Sequence, residues 1–315
     1  MTNPLHQRLG LDPSRRVAIL HADDVGMCHG ANTAFLDLFR KGALTSGSVM
    51  VPCPWFPEIA RIAAEDKALD LGVHLTLTSE WAGYRWAPLT RAGKASGLVD
   101  DEGYFPRTVA ELAAHLNAAA AEAEMRAQID RALAFGMEPT HIDTHMGGAL
   151  CPALVEAYCR VGADYRLPVL LPRRGEYYAR VLKADAAASA LWQAAAARLE
   201  AEGMPLVDDF RMTPGVATEE SDAAYRTLAE TLPEGITFVG VHPNAPGDIE
   251  TIVPPRAHFR TDEHRIFGSG AMGEWLDAAD VRTIGMRPFL EAYREALEGR
   301  TKNNETGVLT QFRLR

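Results

Sequence analysis

Short runs of β-branched and aliphatic residues alternate along the chain with longer stretches whose apolar positions recur at helical spacing. The runs predict strands over Val17–Ala22, Gly47–Pro52, Leu69–Leu77, Thr140–Thr144, Pro168–Leu171, Ile236–Val241 and Val281–Ile284. The intervening pattern predicts helices over Gly30–Lys41, Trp55–Asp66, Val109–Phe135, Pro152–Val161, Asp185–Glu202, Glu219–Leu228 and Arg287–Leu297. The Ala-rich stretch Ala184–Ala201 reads as an exposed helix. Strand followed by helix, repeated this often, points to parallel βα units and an α/β fold. The repeat number favours an irregular (β/α) barrel resembling a TIM barrel over two dinucleotide-binding halves. We expect a single domain over residues 1–300. A loop insertion at 79–106, with Trp81, Tyr84, Trp86 and several glycines, is too irregular for a barrel helix and reads as a cover over a site. Residues 301–315 read as a polar C-terminal tail.

Composition narrows the function. A chain of 315 residues with 47% hydrophobic content can bury a full core. Its net charge of −10 argues against nucleic acid and against an anionic membrane surface. No GxxxxGK[ST] supports a nucleotide cradle. Cys28, Cys53, Cys151 and Cys159 have no CxxC spacing and read as reduced thiols. With a polar start over Met1–Pro13 and no apolar run of about 20 residues, the expectation is a cytoplasmic protein with no membrane span.

The chemistry sits where apolar runs end. The first closes on Ala22-Asp23-Asp24-Val25-Gly26, two like charges at a strand terminus, where they cost stability unless a metal or a proton transfer uses them. An Asx-turn with one Asp capping the next helix is the alternative. Three later segments share the design: Gly72-Val73-His74-Leu75-Thr76, Thr140-His141-Ile142-Asp143-Thr144-His145 and Val241-His242-Pro243. In a βα barrel the C-terminal strand ends converge on one face. One carboxylate with two imidazoles is a common set for Zn²⁺ or another divalent ion, and a second carboxylate is then free to act as base. Each piece has a plainer reading: His74 as a bonded core histidine, Asp143 as the partner that orients an imidazole, His242 as a strand end before proline. His6, His21, His29, His115, His258 and His264 are read as surface or supporting positions.

Taken together, these segments resemble the YdjC-like carbohydrate deacetylases. Asp23-Asp24 falls in a run similar to that family's ADDFG signature, and Leu44–Met50 is similar to its second-strand segment. The resemblance implies a metal-dependent deacetylase of N-acetylated amino sugars or oligosaccharides. It implies Asp24, His74 and His145 as metal ligands, Asp23 as base, His242 near the site as acid, and His141 behind the ligands. One divalent ion is expected, Zn²⁺ or Mg²⁺. Val25 replaces the usual phenylalanine, and Met146-Gly147-Gly148 stands where further histidines are common. Arg173 is a candidate for holding an oxyanion, and Trp81 and Trp86 for stacking on a sugar ring. A homodimer is the expected assembly. Two other readings stay open: hydrolysis of another acylated amine, such as a lipid-linked amino sugar, or a metal-stabilised binding protein without turnover.

Overall fold

Arg16–Val25 (β1) is the strand around which the others assemble, in a computed structural model that describes the backbone over residues 4–312 and side chains over 5–300. The remaining strands of the described residues are β2 (Ser46–Val49), β3 (Leu71–Leu75), β4 (Ile142–Thr144), β5 (Asp209–Met212), β6 (Gly235–Val241) and β7 (Val281–Thr283). All pair in parallel, in the order β4-β3-β2-β1-β6-β5. Residues Arg16–Ala22 of β1 pair with β6 along one edge. On the other edge Arg16–Ala18 pair with β7 and His21–Val25 with β2. The sheet curls through about 226° into an open half-barrel flanked by helices. This is the irregular (β/α) barrel expected from the repeat.

Burial follows the residue types. Val17 through Leu20, Ile236, Phe238 and Val239 are enclosed, as strands covered on both faces require. Phe35, Phe56 and Ile59 on the helices His29–Arg40 and Phe56–Glu65 complete that layer. Among the described residues no helix is long and apolar enough to cross a membrane. All four cysteines are free and buried.

Several elements differ from expectation for identifiable reasons. Pro168–Leu171 makes only an isolated bridge, Val169 to Ile142, because prolines at 168 and 172 bracket the run and remove donors. The strand partner of β6 is instead β5, whose Asp209 and Arg211 interrupt any apolar run. The long helix expected over Val109–Phe135 is two, Val109–His115 and Ala118–Ala134, with Asn117 accepting the Ala120 N–H at 3.1 Å to start the second. The Ala-rich helix, Ala186–Ala201, buries Trp192, Ala195, Ala196 and Leu199, so one face is interior. The last helix runs over Arg287–Phe312, and the side chains of the polar tail lie outside the described residues. Five α-helices not predicted from the sequence are Pro4–Arg8, Glu176–Val181, Asp248–Ile252, Ala257–Gly268 and Ala271–Ala278.

Between β3 and the helix Val109–His115 the chain is irregular apart from one turn of 3₁₀ helix, Lys94–Ser96. Its base is closed by the Ser79 N–H donating to the Pro106 carbonyl at 2.8 Å. Arg85 ties its arms, donating to Asp100 Oδ2 and the Phe105 carbonyl, each at 2.7 Å. Glu124, fully buried, accepts the Leu89 and Thr90 N–H groups at 3.0 and 2.9 Å.

Gly72 on β3 has the closest packing of the glycines in the strands. A Cβ there would lie 2.5 Å from His141 Cε1, with backbone and ring both enclosed. We expect Gly72→Ala to cost about 1–3 kcal/mol of stability in urea denaturation; an unchanged midpoint would show that the His141 ring is free to move aside.

Candidate metal centre

Neighbouring residues of a regular strand face opposite sides, yet Asp23 and Asp24 line the same cavity. The pairing of β1 with β2 is irregular here. The register with β2 shifts between Ala22 and Val25, and Asp24 takes a left-handed conformation, φ 58°, which aspartate tolerates better than most residues. The turn is pinned by the Met27 N–H donating to the Asp24 carbonyl (3.1 Å) and the Gly26 N–H to Asn32 Oδ1 (2.7 Å).

Asp24 is the hub. Its Oδ1 lies 3.0 Å from His145 Nδ1 and 3.5 Å from His74 Nε2, and its Oδ2 accepts from Arg260 at 2.7 Å. The far nitrogen of each histidine is held by another carboxylate. His74 Nδ1 is 2.8 Å from Asp143 Oδ1, its directly paired neighbour across β3 and β4, and His145 Nε2 is 3.0 Å from Glu80 Oε2. Ser48 on β2 completes the arrangement, donating to Asp143 Oδ2 at 2.8 Å with His21 Nε2 3.0 Å from its oxygen. His141 lies deeper, with Nδ1 on Thr140 at 2.9 Å and its ring edge-on to His21.

The electrostatics follow from this crowding. Burial disfavours the Asp24 carboxylate, but Arg260 and His145 outweigh it and hold the group well below the usual range. Burial likewise opposes a charged His145, yet Glu80 and Asp24 raise it to about 9. His74 is raised well above its ordinary value, Asp143 outweighing burial. Asp23 is pushed up to about 6 by burial, with His74 and His21 pulling the other way.

Asp23 faces His242 at the end of β6, Oδ2 to Nε2 being 3.5 Å. Burial pushes His242 down to about 3, so its ring is neutral. Thr213 and Glu263 stand behind it and line the same cavity. The cavity holds about 320 Å³, and Leu182, Phe210, Met212, Val253 and Phe259 give it apolar walls.

The strand ends therefore bring together Asp23, Asp24, His74, His145 and His242, with Asp143 behind His74. Two expected substrate contacts lie elsewhere. Arg173 pairs with Glu200 at 2.8 Å and Asp208 at 3.0 Å and is not on the cavity wall; the arginine that reaches the centre is Arg260. Trp86 is buried in the loop, donating Nε1 to the Thr78 carbonyl at 2.8 Å, whereas Trp81 lines the cavity. Ser48, Glu80, Thr213, Arg260 and Glu263 were not singled out in the sequence. For the last two the available signal was an acid and a base three apart on one helix, next to the apolar Phe259, Ile266 and Phe267.

The donor set fits a divalent cation. Asp24, His74 and His145 each offer one ligand atom, all within 4.8 Å of one another. Each imidazole has its outer nitrogen on a carboxylate, the arrangement that fixes the tautomer and aims the inner nitrogen at a metal. Asp143 also groups with His21 and His141, and with Asp23 and His74, but its oxygens are already committed to His74 and Ser48.

A model of the YdjC-like protein family matches residues 17–278. A carbohydrate deacetylase of Thermus thermophilus is 44% identical over 168 residues, covering 53% of this chain and 58% of that protein. One from Brevibacillus brevis is 32% identical over 154 residues, covering 49% of this chain and 58% of that protein. The match thus spans 58% of the length of each of these curated relatives. A crystal structure from Enterococcus faecalis V583, named for cellobiose-phosphate cleavage, superposes with a TM-score of 0.67 at 22% identity, covering 87% of this chain and 98% of that one. At that identity it shows a shared fold.

If Asp143 aims His74 as described, Asp143→Asn should weaken Zn²⁺ binding to chelator-stripped protein by roughly 10–100-fold in calorimetric titration. Unchanged affinity would mean that His74 is oriented by Ser48 alone or does not bind the ion.

Proposed function

We propose that this chain, which belongs to the YdjC-like protein family, is a metal-dependent hydrolase that removes acetyl groups from N-acetylated amino sugars. The observation that carries the reading is the division of the two adjacent aspartates. Asp24 is bound into the His74/His145 cluster, while Asp23 Oδ1 has no hydrogen-bond partner among the described residues. A purely structural metal site has no use for the second carboxylate or for a histidine beyond it.

We assign Asp24, His74 and His145 as the metal ligands, with Asp143, Ser48 and Glu80 as their supports. A divalent ion there supplies Lewis-acid polarisation of the amide carbonyl and a more acidic water. Asp23, raised toward neutrality by burial, takes a proton from the attacking water. His242 delivers a proton to the amine nitrogen as the C–N bond breaks. The apolar walls and Trp81 offer surfaces for the C–H faces of a sugar ring. Supporting positions for His141 and Asp143 behind the ligands agree with their burial and bonding. The reduced state of four buried thiols fits a cytoplasmic setting. A homodimer is the expected assembly, to be measured by light scattering.

The test is acetate release from N-acetylglucosamine, its oligomers and simple N-acetyl amines, using chelator-stripped protein with Zn²⁺ or Mg²⁺ added back. We expect release from the sugars, restored by metal. Release only from non-sugar amides would move the substrate class. No release from any of them by metal-loaded protein would contradict the enzyme reading.

A further inference from the structure

The Nδ1 side of His242 is engaged by half-buried Thr213 and, through it, by buried Glu263, and the hydrogen-bond directions along this series can be worked out. Thr213, one residue beyond β5, has its Oγ1 2.6 Å from Glu263 Oε1 and 2.9 Å from His242 Nδ1. Glu263, fully buried on the helix Ala257–Gly268, also accepts the Tyr225 hydroxyl on Oε1 and the His242 backbone N–H on Oε2, the latter at 2.6 Å. An ionised carboxylate only accepts, so Thr213 directs its single hydroxyl proton to Glu263. Toward His242, Thr213 then presents a lone pair, and Nδ1 must be the protonated nitrogen. A neutral imidazole carries one N–H. Its Nε2 is therefore bare, and this is the atom 3.5 Å from Asp23 Oδ2.

We propose that Thr213 and Glu263 are positioning residues that hold neutral His242 with its proton on Nδ1, so that Nε2 receives the proton Asp23 has drawn from water and passes it to the leaving amine. The inference rests on the roles given above to Asp23 and His242, and adds where the acid obtains its proton. In the step, a water O–H bond breaks and its proton moves to the Asp23 carboxylate. The same proton moves to Nε2, giving an imidazolium whose Nδ1–H stays on Thr213. When the C–N bond breaks, its electron pair remains on nitrogen and takes the proton from Nε2. Asp23 returns to the carboxylate, His242 to the Nδ1–H form, and nothing is oxidised or reduced. Burial disfavours a charged ring, with Asp24 favouring one and Arg260, His74 and His145 opposing it. Hydrogen bonds between proton-transfer groups often tighten only when the reacting complex forms.

The direct test is nitrogen NMR of full-length protein labelled with ¹⁵N-histidine, in alkaline buffer that keeps Glu263 ionised, since burial raises that group to about 7. His242 signals are assigned by their loss in His242→Gln. We expect Nδ1 at a protonated shift and Nε2 at the bare-nitrogen shift. Thr213→Val should abolish that preference and Thr213→Ser restore it. Glu263→Gln should invert it, because an amide N–H donating to Thr213 turns the threonine proton toward Nδ1. In acetate release, Thr213→Val should lower kcat by about 10–100-fold with KM little changed, and Thr213→Ser should recover the loss. A wild type with its proton on Nε2 would overturn the inference, as would a Thr213→Val variant that keeps the Nδ1 tautomer. If Thr213→Val fails to fold, the wild-type and Glu263→Gln tautomers still decide. The tautomer is read without turnover. A wild type that releases no acetate would count against the function proposed above, whereas turnover with the Nε2 tautomer would overturn this inference alone.

Discussion

Buried negative charge at the C-terminal ends of the strands is the constraint around which the rest of the site is arranged. Asp24 and Asp143 are almost fully enclosed, Asp23 and Glu80 nearly so, and a lone carboxylate in such a place costs several kcal/mol. Among the described residues one guanidinium, Arg260, pairs with Asp24, and the other groups near these carboxylates that can carry positive charge are imidazoles. The imbalance shows in His145 and His74, whose pKa values rise despite burial. A divalent cation would relieve the same imbalance with fixed charge in place of protons, and the carboxylates behind each imbalance-bearing imidazole already hold the rings for it.

The fold serves that arrangement through register. His74 and Asp143 are cross-strand partners, so their bond is set when β3 and β4 pair. Gly72 faces His141 on the same strand pair, and its missing side chain lets the deeper imidazole lie against the backbone. The register shift of β1 against β2 between Ala22 and Val25 is the local irregularity that sends two consecutive aspartates into one cavity with different partners. Asp24 is drawn to Arg260 and the histidines, and Asp23 to the side where β5 and β6 end in Thr213 and His242.

This organisation was legible in the sequence where the ligand types close apolar runs, because a strand end in a βα barrel has a known destination. The Asp23-Asp24 pair, His74, His145 and His242 are all of that kind. Thr213, Arg260 and Glu263 were not legible. Thr213 follows a strand whose alternate positions are charged, and Arg260 and Glu263 lie in a segment, Ala257–Gly268, whose charge density reads as a solvated face until tertiary packing turns one side inward. Arg173 shows the converse. It was a candidate for holding an oxyanion, yet it pairs with Glu200 and Asp208 and is not on the cavity wall. Pro168–Leu171 was apolar enough for a strand, but the prolines at 168 and 172 remove donors and leave it an isolated bridge.

The central claim is that two adjacent aspartates do different work, one binding metal and the other moving a proton. Metal content and acetate release measured side by side on Asp23→Asn and Asp24→Asn test it most directly. The account predicts that Asp24→Asn loses both, while Asp23→Asn keeps the metal and loses turnover by about a hundredfold or more. Loss of metal from Asp23→Asn, or a metal-loaded Asp24→Asn, would contradict it.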